Sequence, residues 1–311
     1  MKKRIWWIIA VSLILIGCMI FGGGMMAMNF GKLEISKYEV SQEFQNITIV
    51  SSTADITFEP SEREGAVVSC KEHKNLKHTV SVKDGTLVIE LQDERAWYEH
   101  IGIILGTPKV TVYLPQKEYG ELSVKVSTGD VDVSDAFTFT NVDIHGSTGD
   151  ISFAANASGA VKLEASTGKV EVDDISAEAL EVKVTTGAVK VSGAACTGDV
   201  TVSISTGKAK LSDVRCRNFH TTGTTGDVEL EQVIAVEKLS AQRNTGDLEL
   251  KDCDAGELLL KTTTGDVEAA LLTEKIFITR TDTGDINVPK STTGGICEIT
   301  TDTGDINASI E

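Results

Sequence analysis

The sequence predicts an all-β fold: a parallel β-solenoid of about ten coils of 19–20 residues, two strands per coil, with an irregular β cap before it and a single N-terminal transmembrane helix. Three observations carry this. First, the turn glycines Gly129, Gly149, Gly168, Gly187, Gly207, Gly226, Gly246, Gly265, Gly284 and Gly304 recur at intervals of 20, 19, 19, 20, 19, 20, 19, 19 and 20 residues. A fixed period of this length marks stacked supersecondary units. Second, apolar residues stand two and four places after each glycine, the period-2 pattern of a half-buried strand. Third, an apolar run, Ile5–Phe21, follows Lys2-Lys3-Arg4.

Taken in order, residues 1–4 are a basic flank and residues 5–28 the membrane span. About 20 apolar residues cross a bilayer, and the positive flank stays in the cytoplasm. The N-terminus is thus expected in the cytoplasm and the C-terminal domain outside the cell. Two rival readings use the same residues. Leu15-Ile16-Gly17-Cys18 resembles a bacterial lipobox, which would lipidate Cys18, and a cleaved signal peptide needs small residues at its cleavage site. Against a lipoprotein, Met19-Ile20-Phe21 continue the apolar run. Residues 29–43 read as a polar linker.

Residues 44–126 read as the irregular β cap. Strand-like runs are Phe44–Val50, Asp55–Phe58, Ala66–Cys70, Thr79–Val82, Thr86–Leu91 and Val110–Leu114, with a hairpin signal at Asp84-Gly85. Ser52-Thr53-Ala54-Asp55-Ile56 looks like a worn copy of the later repeat, with Ala for Gly. Arg95–Leu105, carrying Trp97, Tyr98 and His100, interrupts the cap.

Residues 127–311 are the regular repeats. Val131/Val133, Ile151/Phe153 and Val170/Val172 exemplify the first inward pair; Val142/Ile144, Val161/Leu163 and Leu180/Val182 exemplify a second, 12 to 15 residues after the glycine. At about 4.8 Å per coil, ten coils give a rod of roughly 50 Å. The corner is Thr128-Gly129-Asp130, repeated as Thr148-Gly149-Asp150, Thr225-Gly226-Asp227, Thr245-Gly246-Asp247, Thr264-Gly265-Asp266, Thr283-Gly284-Asp285 and Thr303-Gly304-Asp305. Lys169, Ala188 and Lys208 replace the Asp in the other three copies. The residues are read as structural: Gly permits positive φ, Thr hydroxyls ladder from coil to coil, and Asp accepts backbone N–H groups at the turn.

The chemistry implied is modest. A net charge of -17 argues against nucleic acid and against adsorption to anionic lipid. Stacked carboxylates could take a divalent cation, but Lys169 and Lys208 relieve the charge, and the glycine-rich nonapeptide of calcium-binding β-rolls is absent. A pair of carboxylates about 5 Å apart suits a retaining glycosidase. A ladder makes its members equivalent, however, whereas catalysis needs them to differ. The Thr column also admits an ice-binding reading, but ice-binding faces use two Thr columns on a flat strand. The histidines His73, His78, His100, His145 and His220 share no repeat position. No CxxC pair occurs among Cys18, Cys70, Cys196, Cys216, Cys253 and Cys297, so zinc is not expected. Cys196 and Cys216 fall at the same place in adjacent coils, within disulfide range. No catalytic, cofactor or metal residues are assigned.

The run Val110-Thr111-Val112-Tyr113-Leu114-Pro115, then Leu122–Val126, then the iterated Thr-Gly-Asp-[Val/Ile], resembles the bacterial putative-adhesin family of β-strand repeats, also called LiaG-like. The resemblance covers Phe44 to the C-terminus. It implies a β-solenoid on the cell surface, in proteins of envelope-stress operons, and supplies no catalytic residues. The expected function is therefore a membrane-anchored, extracytoplasmic, non-enzymatic binding or scaffolding module. A polysaccharide-active enzyme and a divalent-cation-binding surface protein stand as alternatives. The expected partner is a cell-envelope protein, a wall polymer or a second copy, docking on an unpaired last coil at Thr301–Ile310.

Overall fold

The computed structural model describes residues 33–93 and 106–311. Every regular element in them is a strand. The cap contains β1 (Glu34–Val40), β2 (Asn46–Thr53), β3 (Asp55–Ser61), β4 (Ala66–Glu72), β5 (Leu76–Lys83), β6 (Thr86–Asp93) and β7 (Lys109–Pro115). Next come β8 (Glu118–Thr128), β9 (Val131–Val133), β10 (Thr138–Thr148), β11 (Ile151–Phe153), β12 (Asn156–Ala157), β13 (Ala160–Ala177), β14 (Ala179–Cys196), β15 (Val200–Thr225) and β16 (Val228–Thr245). The C-terminal part is β17 (Leu248–Lys261), β18 (Val267–Leu271), β19 (Lys275–Thr283), β20 (Ile286–Asn287), β21 (Gly295–Thr303) and β22 (Ile306–Ile310). Equivalent strands of successive rungs pair in parallel and in register, so the chain is an all-β parallel solenoid.

The rungs that begin at Gly129 through Gly246 have three inward pairs, where two were expected. In the rung after Gly168 these are Val170/Val172, Ile175/Ala177 and Leu180/Val182, all buried. The extra pair recurs as Ala194/Cys196, Val214/Cys216 and Val233/Ala235. It hides from a period-2 reading because a corner precedes it. Asp174, Asp213, Gln232 and Asp252 have φ of 51°, 53°, 55° and 52°, and each advances the inward face by three residues instead of two. Asp tolerates this left-handed conformation better than most residues.

The segment 29–43 is not all linker. Glu34–Val40 pairs antiparallel with β4, from Glu34↔Glu72 to Val40↔Ala66. Its half-buried positions are Ser36, Tyr38 and Val40. Ile35 faces solvent, which breaks the apolar alternation.

The cap holds two true rungs. Thr53 pairs with Thr128 and Ile56 with Val131, so the worn copy with Ala54 is a rung. A further rung, β6 and β7, stacks on it through Ile49↔Ile89 and Phe58↔Val112. The first rung of the chain is thus sandwiched between the second and third. Antiparallel strands β5 and β4 then cover the edges of β6 and β7.

The other end is permuted as well. β17 and β18 pair with β21 and β22, and these pair with β19 and β20. The last rung of the chain therefore lies inside the stack. The expectation that Thr301–Ile310 is an open edge is corrected: Thr303, Ile306 and Asn307 are paired on both sides, and Ala308–Ile310 are paired with β18. The open edge is β19 with β20.

Candidate functional site: the Thr-Gly-Asp corner and the open end rung

The corner glycines share one conformation, with φ from +118° at Gly226 to +150° at Gly187. A Cβ at Gly149 would fall on the carbonyl oxygen of Gly129, one at Gly168 on that of Gly149, and so on up the stack to Gly304 over Gly265 and Gly284 over Gly304. Glycine is therefore required twice over, by φ and by the approach of the neighbouring backbone.

The aspartates cap the next rung rather than their own turn. Asp55 Oδ1 accepts from the N–H of Asp130 at 3.1 Å, Asp130 Oδ1 from Asp150 at 2.8 Å, and Asp150 Oδ1 from Lys169 at 2.7 Å. Beyond the interruption, Asp227 Oδ1 accepts from Asp247 at 3.1 Å, and Asp247 Oδ1 from Asp266 at 2.8 Å. Asp266 Oδ1 then accepts from Asp305 at 2.8 Å, and Asp305 Oδ1 from Asp285 at 2.8 Å. Each of these accepting carboxylates has one oxygen committed to a backbone donor, whereas Asp285, on the end rung, only donates its N–H to the column. Among the described residues, no three carboxylates of the column lie close enough to share a metal ion.

Where Asp is replaced, the backbone ladder runs unbroken round the corner: Gly168↔Gly187, Lys169↔Ala188, Gly187↔Gly207, Ala188↔Lys208. The two lysines turn outward. Lys169 Nζ and Lys190 Nζ both reach Glu171 at 2.5 Å, and Lys208 pairs with Glu229. Hydrogen bonds from Lys169 and Lys190 hold the Glu171 carboxyl below its usual range. The interruption is thus internally neutralised.

The expected threonine ladder does not form. Thr128, Thr148, Thr225, Thr245, Thr264, Thr283 and Thr303 are exposed. Among the described residues no hydrogen bond joins their hydroxyls, because a rung spacing of about 4.8 Å exceeds hydroxyl reach. The threonines that bond are internal. Thr262, Thr301 and Thr281 donate to the carbonyls of Gly246, Gly265 and Gly304 at 3.0, 3.1 and 3.1 Å. Their sequence signal is a Thr two residues before the corner Thr, where earlier rungs carry Val184 or Ile204.

The open end rung is the second feature. Ile286 holds the inward position that Ile306 and Val267 bury below it, yet it is 45% exposed. Ile276 and Ile278 are exposed on β19, and Phe277 and Val288 pack only partly on the core. Among the described residues, nothing pairs with the outer edge of β19.

Of the remaining candidates, Cys196 and Cys216 are free and buried, so no bridge joins them. His145 sits between Asp143 and Glu164, at 2.8 and 3.0 Å. No helix of the described residues is long and apolar enough to cross a membrane. The expected span, Cys18 and the Arg95–Leu105 insertion lie outside those residues.

Several solved structures are similar to this chain. One is a putative adhesin from Bacteroides fragilis NCTC 9343, at 16% identity and a TM-score of 0.45, covering 89% of this chain and 97% of that one. Another is a putative adhesin from Parabacteroides distasonis ATCC 8503, at 13% identity and 0.39, covering 76% and 98%. A third, from the same organism, is called a putative lipid binding protein, at 15% identity and 0.35, covering 76% and 94%. The search of curated proteins gives no match. The Toastrack model, DUF4097, matches residues 44–203 and again 194–311. Those two spans take in every rung of the stack, and the chain belongs to this bacterial putative-adhesin family.

Proposed function

We propose that the protein is a membrane-anchored, extracytoplasmic solenoid that binds or scaffolds within the cell envelope without catalysing a reaction, and that it engages its partner through the open end rung. The observation that carries this reading is the unpaired edge of β19 with Ile276 and Ile278 exposed beside it. A bare strand edge flanked by apolar side chains is a template for strand addition. The chain enters the stack at its opposite end, through β1 in the cap. With the apolar segment Ile5–Phe21 in the membrane, the cap lies near the bilayer and the open rung points away from it. The partner is an envelope protein, a wall polymer or a second copy of the chain, and the resemblance to envelope-stress proteins suits that setting.

The test uses full-length protein in native membranes. Crosslinking from the end rung is expected to capture a partner, and the double variant Ile276→Lys/Ile278→Lys is expected to lose at least nine-tenths of that capture with an unchanged melting temperature. Undiminished capture by the variant would sink the proposal, as would recovery of the full-length protein in the soluble fraction.

A further inference from the structure

The cap encloses three metal-ligating side chains that the sequence reading left scattered. Cys70 and Glu72 alternate on the inner face of β4, and His78 faces them from β5 across the hairpin. A thiol sulfur, a carboxylate oxygen and an imidazole nitrogen lie within 4.8 Å of one another. All three side chains are buried: Cys70 is 0% exposed, Glu72 1% and His78 1%.

The hydrogen bonding around them is incomplete in one place. Glu72 Oε2 lies 2.9 Å from His78 Nδ1 and accepts from the His78 backbone N–H at 2.7 Å. Glu72 Oε1 has no hydrogen-bond partner, although it is buried. An orphaned carboxylate oxygen in the interior is costly, and a cation would satisfy it. The other ring nitrogen, His78 Nε2, lies 3.1 Å from Ser51 Oγ. With the ring proton on Nε2, donated to Ser51 Oγ, Nδ1 presents its lone pair to a metal, which would replace the proton between Nδ1 and Glu72 Oε2. Tyr38 Oη donates to the His78 carbonyl at 3.0 Å and fixes the strand that carries it.

We propose that Cys70, Glu72 and His78 form a divalent-metal site, selective for zinc, that staples β4 to β5 at the membrane-proximal end of the solenoid. Sulfur and imidazole donors favour zinc over the all-oxygen ions calcium and magnesium. Tetrahedral zinc bonds of about 2.0 Å to nitrogen and oxygen and about 2.3 Å to sulfur require ligand atoms roughly 3.3–3.6 Å apart, so the cluster would tighten round the ion, and a water would take the fourth position. Binding replaces the thiol proton and the proton between Nδ1 and Glu72 by the metal and releases both to solvent.

The same atoms also spell out Ser51–His78–Glu72, the order of a hydrolytic relay. Ser51 is only 4% exposed and points inward from the middle of β2, so a substrate has no access to it.

The experiment uses full-length protein in detergent, stripped with a chelator and titrated with zinc or with cobalt. Wild type is expected to retain one zinc per chain by native mass spectrometry, to melt at a higher temperature with zinc, and to show a thiolate-to-cobalt charge-transfer band. Cys70→Ser is expected to lose that band, and His78→Ala and Glu72→Gln to weaken zinc at least tenfold. The wild-type measurements decide the matter even if a variant fails to fold. A wild-type protein that keeps no zinc and shows no band overturns the site, as does zinc binding indifferent to all three substitutions. Labelling of Ser51 by a serine-reactive phosphonate would also overturn it, in favour of the relay.

Discussion

Gly168 shows how a single residue can be dictated by two constraints at once. Its φ is +142°, and a Cβ there would meet the carbonyl of Gly149. Gly168→Ala is expected to cost about 3 kcal/mol, from backbone strain and overpacking together. Gly85 also has a positive φ, +73°, but open space where its Cβ would be. Gly85→Ala is expected to cost only about 1 kcal/mol, and denaturant unfolding of the two variants compares them directly. Arg243 is the opposite case, a residue the pattern does not call for. It occupies an inward position, 3% exposed, where Gly223 leaves room for it. Its guanidinium donates to Thr221 Oγ1 at 3.2 Å and to the Gln242 carbonyl at 3.0 Å, while Nε has no partner. Burial pushes its pKa down to about 10. The charged form is therefore disfavoured in the folded state, and that burden persists at all pH values below about 10, easing only as pH rises through it. Arg243→Met is expected to stabilise the fold by about 1–3 kcal/mol. A comparable loss in thermal unfolding would show that the cation is held by something more than these two bonds. The corner glycines could be found from sequence because every repeat from Gly129 onward imposes the same demand on them. Arg243 could not, because it depends on which residues stack across rungs, and the Cys70–Glu72–His78 group could not, because it depends on how the turn between β4 and β5 folds one strand against the other.

At the scale of the element, the sequence pattern reveals strands more readily than their arrangement. Each strand-like run of the cap corresponds to a strand, although Phe44 and Gln45 of the first precede β2. The third inward pair was hidden by a phase slip of one residue at Asp174 and its equivalents, since period-2 logic reads a step of three as a break. The order of rungs was hidden for a deeper reason. Parallel in-register rungs present nearly identical edges, so any rung can sit on any other, and only the connections decide. The turn 288–294 leads the chain back from the end rung to the gap beneath it. A chain ending at residue 294 would leave that gap empty. Its loss is expected to unfold residues 275–288 as well, so amide hydrogen exchange should show protection lost throughout β19, and β17 and β18 becoming the fraying edge. Protection retained in β19 would mean that it can dock directly on β17.

For the molecule as a whole, the two ends are treated differently. The cap end is closed by antiparallel strands β4 and β5, with β1 outside them. The far end stops at an open parallel rung. A solenoid contacts only its nearest neighbours, so the closed end protects against non-specific pairing while the open one remains available. The polarity of the rod was thus readable only in part: the irregular cap could be told from the repeats, but the free edge belongs to the rung of β19 and β20 and not to that of β21 and β22.

That permutation has a mechanical consequence. In a solenoid stacked in chain order, tension on the C-terminal residue peels the outermost rung away, one hydrogen bond after another. Here tension on Glu311 first strips Ala308–Ile310 from β18 alone and then meets a rung clamped along both edges, with Ile306 and Asn307 between β18 and β20 and β21 between β17 and β19. Extraction must break both ladders, so a rod pulled from that residue resists as a lock rather than yielding as a zip.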